Sequence, residues 1–209
     1  MINSFNKDNF IYYCDLLAER DSDLKQIITH HGYPPFWSRS AEFATLVYII
    51  LEQQVSLASA KAAYLKLEAA LGNITPEKVL QLSDDEMKAC YFSRQKIIYA
   101  RHLAQTISQN ELSLYHLESL PDEDVGVSLK KIKGIGSWTV DVYLMMALHR
   151  SDCFPTGDIA LIKSIKEVKA LPAGVSKDEI LLVAEAWRPY RTIAAYLLWH
   201  AYLSKRKKA

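Results

Sequence analysis

Nowhere does this chain assemble the roughly 20 consecutive apolar residues that a membrane-crossing helix requires. Its first ten residues, MINSFNKDNF, lack the apolar core and small-residue cleavage site of a secretion signal. Cysteine is scarce as well, with Cys14, Cys90 and Cys153 standing far apart. Three thiols at such spacing offer no disulfide framework, zinc site or iron–sulfur cluster, and they suit a reducing cytoplasm. Also missing is any run of alternating apolar and polar residues bounded by hairpin turns, which argues against a strand-rich fold. Half of the 209 residues are hydrophobic, enough to bury a real core in one domain or two small lobes.

The formal net charge of +1 hides an asymmetry. Residues 129–209 carry 14 Lys and Arg against 7 Asp and Glu, whereas residues 1–128 carry 11 against 17. A basic half of this kind suits a polyanionic partner. A solvated face ending in the basic tail Lys205, Arg206, Lys207 and Lys208 is the plainer explanation of the same charge.

Helical periodicity fills most of the chain. Phe43, Leu46, Val47, Ile50 and Leu51 form one apolar stripe, and Ala60, Ala63, Tyr64, Leu67 and Ala70 form a second after a break near Val55–Ser56. Thr75-Pro76 reads as an N-cap followed by proline at the first helical position, and Ser83 to Glu86 as a capping box. Ser93 opens a helix through Ile107, Ser176 another through Trp187, and Pro189 a last one to about Leu203. The expected class is all-α, with ten or more helices.

The densest information lies in Leu129-Lys-Lys-Ile-Lys-Gly-Ile-Gly-Ser-Trp-Thr-Val140. A helix ending at Ile132 meets Gly134 and Gly136, both able to adopt positive φ, before a second helix with Val140, Tyr143, Leu144 and Leu148 on its inner face. Such a turn lets a phosphate approach backbone amides at the positive end of a helix, with Lys130, Lys131 and Lys133 around it. An ordinary helix–turn–helix corner with a glycine cap is the alternative for a lone Gly-x-Gly.

Here the chain resembles the helix-hairpin-helix superfamily of DNA glycosylases, and within it the alkylbase (3-methyladenine) DNA glycosylase II family. The resemblance runs from about Pro35 to Trp199. Besides the hairpin it rests on Ile49-Ile-Leu-Glu-Gln-Gln-Val-Ser56, on Phe154-Pro-Thr-Gly-Asp158, and on Trp187-Arg-Pro-Tyr-Arg191 followed by Trp199. It implies two helical lobes with a DNA-binding cleft: one of residues 36–150, with the hairpin at about 126–149, and one of residues 1–35 plus 151–209. The implied partner is double-stranded DNA containing a damaged base, and the implied state a monomer in the cytoplasm, on the nucleoid if bacterial.

The resemblance makes Asp158 the catalytic carboxylate; by residue type alone it reads equally as a helix N-cap. Asp141 and Asp152 are weaker candidates. Strand-nicking relatives place a lysine nucleophile just after the Gly-x-Gly turn, but this chain has Trp138 there, which implies hydrolysis without strand cleavage. Trp138, Trp199 and Tyr143 are the implied base pocket, with Tyr13 and Trp37 as further neighbours, since electron-rich rings attract a cationic alkylated purine. Gln53, Gln54, Ser56, Lys133, Gly134, Ile135, Gly136, Ser137 and Thr139 are the implied DNA contacts. Gln54 stands where the family inserts a wedge into the gap left by a flipped base, or else caps the next helix. Carbonyls of Lys130, Ile132 and Ile135 are an implied seat for a structural Na+ or K+; no cofactor is required, and no iron–sulfur cluster is expected. Tyr91 departs from the family, where glycine is common. A glycosylase for a deaminated or oxidised base, or a non-catalytic DNA-structure binding protein, are the other readings.

Overall fold

A computed structural model describes residues 3–207; Lys208 of the basic tail lies outside the described residues. Thirteen α-helices follow one another without a strand among the described residues: α1 (Lys7–Arg20), α2 (Ser22–His31), α3 (Phe43–Glu52), α4 (Leu57–Leu71), α5 (Pro76–Gln81), α6 (Asp84–Ala89), α7 (Arg94–Ser108), α8 (Leu114–Leu117), α9 (Asp122–Lys130), α10 (Ser137–Met146), α11 (Ile159–Val168), α12 (Lys177–Glu185) and α13 (Arg191–Lys207). The chain divides into two compact units, Arg39–Tyr143 and Met1–Ser38 with Leu144–Ala209. Residues 144–150 group with the terminal unit rather than with the hairpin lobe. They are fastened there by Phe5 N–H to His149 O at 2.9 Å, and the next residue by Ser151 N–H to Asn3 O at 3.0 Å.

Side-chain caps define where most helices begin. Thr75 caps α5, Ser83 closes a capping box on α6, Ser93 caps α7 and Ser176 closes a box on α12. Ends are less regular: α12 stops at Glu185 instead of Trp187, and α13 starts at Arg191, two residues beyond Pro189.

In the Arg39–Tyr143 unit, α3 packs on α4 and α7, and α7 also covers α5 and α6. Leu46, Val47, Ile50 and Leu51 of α3 are buried, as the stripe predicts. In the terminal unit α13 is the central element, touching α1, α2 and α11. Its stretch from Ile193 to Leu198 is wholly buried, as a helix hydrophobic on every side must be.

An ionic knot joins the two ends of the chain inside that unit. Lys169 Nζ donates to Asp21 at 2.6 and 2.7 Å and to Asp23 at 2.9 Å, while the buried Trp187 indole donates to Asp21 at 2.7 Å. Asp21 also caps α2. Burial alone would push its carboxyl up, but the bonds from Lys169, Trp187 and the Leu24 amide and the Lys169 charge together hold it below the usual range. Burial likewise opposes the Lys169 charge, and the two aspartates carry it above the usual lysine range.

Lys169→Met strips Asp21 of its cationic partner and should cost on the order of 3 kcal/mol in denaturant unfolding near neutral pH. A carboxylate with a lowered folded pKa adds stability above its ordinary value that disappears as pH falls through the lowered one. The gap between wild type and variant should therefore narrow on acidification.

Candidate active site and nucleic-acid interface

Within the terminal unit, Asp158 occupies the N-cap of α11 with an extended backbone, φ −85° and ψ 114°. Its amide donates to Pro155 O at 2.9 Å, closing the Pro-Thr-Gly turn. Oδ1 accepts the Leu161 amide at 2.8 Å and the Trp199 indole N–H at 3.1 Å. The carboxylate is thus oriented by two donors on different helices and faces the positive end of α11. Trp199, only 8% exposed, leans edge-on against Trp37 and packs on Tyr196, whose hydroxyl donates to Trp37 O at 2.7 Å. Cap and candidate catalyst are therefore compatible roles for one aspartate. The indole bond is the feature that sequence reading missed, because nothing in the spacing of 158 and 199 marks it.

Asp152 is occupied elsewhere, bonded by Arg188 at 2.6 Å and by Arg191 at 2.7 Å. It braces the loop that delivers Asp158. Tyr13 stacks on Tyr190 at 4.4 Å.

Within the Arg39–Tyr143 unit the hairpin is gripped from below. Gly134 takes φ +88°, and a Cβ there would collide with the Tyr99 ring, so both conformation and space demand glycine. Gly136 is the correction: its φ lies outside the left-handed region, and a Cβ would meet nothing within 4 Å. Folding does not need glycine there, whereas close approach of a ligand to the amides at the start of α10 would. The Lys133 amide donates to His102 Nδ1 at 2.9 Å and the Ile135 amide to Ile132 O at 3.1 Å, so neither amide points outward. The Lys133 side chain is exposed.

Gln53, half-buried, and Thr139, buried, are bonded within the unit. Gln53 Nε2 donates to Gly134 O at 2.9 Å and to the hydroxyl of buried Thr139 at 3.0 Å. Lys96 Nζ donates to Leu51 O at 2.6 Å, closing the end of α3. Gln54 is exposed in a left-handed conformation at φ 57° and does not cap α4; Ser56 does, through the Ser59 amide at 3.1 Å. Ile135 anchors the turn in the core.

Trp138 is half-buried in this unit. Tyr143 is wholly buried, its hydroxyl enclosed without a hydrogen-bond partner and pushed well above the usual tyrosine range by burial and then by Glu118. It belongs to the core and presents no accessible face. Lys130 ends α9 and Ile132 follows its C-cap, a place where backbone oxygens are commonly available to a hard cation. Ile132 O already accepts one amide. No cluster of His, Cys, Asp or Glu able to hold a metal occurs among the described residues.

Residues 47–189 match the family described as HhH-GPD superfamily base excision DNA repair protein. The chain belongs to that superfamily. It is 31% identical over 192 residues to DNA-3-methyladenine glycosylase 1 of Schizosaccharomyces pombe, covering 88% of this chain and 83% of that one. A Bacillus subtilis DNA-3-methyladenine glycosylase is 29% identical over 75% of this chain, which spans 56% of that protein's length; for another B. subtilis relative, 30% identical, the span is 66%. Among solved structures, S. pombe 3-methyladenine DNA glycosylase in complex with abasic DNA superposes with a TM-score of 0.83 at 29% identity, over 90% of this chain and 95% of that one. The Bacillus halodurans DNA-3-methyladenine glycosidase gives 0.76 at 30% identity, over 94% and 91%.

The two hairpin glycines should separate on substitution. Gly134→Ala should lower the melting temperature sharply. Gly136→Ala should leave melting within about 2 °C, a shift under roughly 1 kcal/mol, yet weaken duplex binding measured by fluorescence anisotropy. A Gly136→Ala protein that binds as wild type would show that no phosphate reaches this turn.

Proposed function

We propose that this protein is a monofunctional DNA glycosylase that hydrolyses the N-glycosidic bond of alkylated purines, of the 3-methyladenine and 7-methylguanine kind, in base excision repair. The observation that carries this reading is the Asp158 carboxylate, held at a helix N-terminus by the Leu161 amide and the Trp199 indole in a chain whose relatives bear that name.

The chemistry asks little of a general acid. An alkylated purine is already cationic and departs as a neutral base, so the demand falls on the sugar, which gains oxocarbenium character. A fixed carboxylate stabilises that charge and takes a proton from the attacking water. The water oxygen joins the anomeric carbon as the carbon–nitrogen bond breaks, leaving free base and an abasic site. Trp138 in place of lysine removes the Schiff-base route that would cut the strand.

The base must leave the stack first. Exposed Gln54, at the corner between α3 and α4, is the proposed filler of the gap, and the amides of Gly136 and Ser137 with the Lys133 ammonium the proposed phosphate grip. Trp138 is the proposed partner for the cationic base. The helix-end carbonyls of Lys130, Ile132 and Ile135 would hold a monovalent cation that steadies the turn.

Duplexes carrying one defined lesion, incubated with protein and then treated with alkali, test the activity. Alkylated purine should be released, with strand breaks only after alkali. Asp158→Asn keeps the cap and should lose at least about 100-fold in single-turnover release while retaining binding. Trp199→Phe, which deletes the indole donor along with some ring volume, should lose roughly 10- to 100-fold. Release by Asp158→Asn at the wild-type rate, or nicking without alkali, would overturn the mechanism. Lys133→Ala should lower the slope of log K against log salt by about one if its ammonium meets a phosphate.

A further inference from the structure

Tyr91 stands at a position where the fold would be better served by glycine. It follows the C-cap of α6, with its amide donating to Lys88 O at 2.9 Å and the Phe92 amide to Met87 O at 3.2 Å, the closure that places a left-handed residue after a helix. Its φ is +65°, strained for any residue with a Cβ. The ring does not recover that strain by burial, since Tyr91 is 61% exposed.

What the ring does instead is wall a cleft. Tyr91 lines a space of about 350 Å³ with Leu51, Val55, Ser59, Ala63 and Lys96. Lys66 Nζ sits 4.2 Å from the ring centroid. The Lys96 ammonium is half-buried there, and burial depresses its pKa. Of the neighbouring acids, Asp85 is engaged by Lys88, Glu86 by Ser83 and Glu52 by Arg39. An apolar floor, an accessible aromatic face and two lysines match a nucleobase with its phosphate. The cleft is also continuous with the proposed DNA-facing corner: Leu51 and Val55 flank Gln53, whose amide holds Gly134 and Thr139 of the hairpin.

We propose that Tyr91, with Lys66 and Lys96, forms a stacking site for an unpaired DNA base beside the α3–α4 corner. This site adds to the hairpin grip and rests on the glycosylase reading. Base-on-aromatic stacking is worth about 5- to 100-fold in affinity.

The test sets DNA affinity against fold stability, which a structural role would move together. A labelled duplex with one stable abasic analogue is titrated with wild type, Tyr91→Gly and Tyr91→Phe, and each protein is melted. Tyr91→Gly relieves the strain and should melt at or above the wild-type temperature, by up to about 2–4 °C. Its Kd should weaken at least about 5-fold, while Tyr91→Phe stays within about twofold of wild type. Equal binding by Tyr91→Gly, equal weakening by both variants, or a lower melting temperature for Tyr91→Gly would each overturn the stacking site. Failure of the wild type to bind the duplex would instead count against the glycosylase reading.

Discussion

One carboxylate oxygen organises the terminal unit. Oδ1 of Asp158 accepts both the Leu161 amide and the Trp199 indole, so the start of α11 and the middle of α13 meet at a single atom. Neighbouring bonds secure the arrangement. Ser164 Oγ donates to Leu198 O at 2.6 Å, tying the two helices one turn further along. The loop leading to Asp158 is fixed as well, since Thr192 Oγ1 donates to Arg150 O at 2.6 Å and accepts the Cys153 amide at 3.0 Å. Arg188 and Arg191 clamp Asp152 in the same stretch. A reacting group gains from such bracing, because its orientation is set before substrate arrives.

The Arg39–Tyr143 unit solves a different problem. A glycine-rich turn exposes backbone amides usefully only if the turn is stiff, yet glycine itself is permissive. Stiffness comes from side chains beneath it: Tyr99 fills the space under Gly134, His102 takes the Lys133 amide, and Gln53 bonds the Gly134 carbonyl. The amides proposed to meet a phosphate, those of Gly136 and Ser137, lie at the start of α10, where the helix dipole is positive.

Much of this was legible in residue order. Caps at Thr75, Ser83, Ser93 and Ser176 are local chemistry, and the apolar stripe of α3 is a periodicity, so both could be read without tertiary knowledge. Asp158 was legible through its Pro-Thr-Gly context. The Trp199 bond was not, since it joins residues 41 apart. The bond between Gln53 and Thr139 was not legible either, since it joins residues 86 apart and draws the Thr139 hydroxyl inside. Tyr143 was mistaken for a pocket wall because helical spacing locates a face without saying what covers it.

Glycine positions make the same point about function. A residue that the fold requires and one that a ligand requires look identical in sequence. Gly134 is required by the fold, since both its φ and the Tyr99 ring forbid a side chain. Gly136 has neither constraint. Tyr91 is the inverse, a bulky ring kept where backbone geometry favours glycine. Gly136 and Tyr91, both in the Arg39–Tyr143 unit, are two positions whose residue choice backbone geometry and burial do not explain. The proposed contacts with DNA would account for both departures, toward the small residue at one and the aromatic at the other.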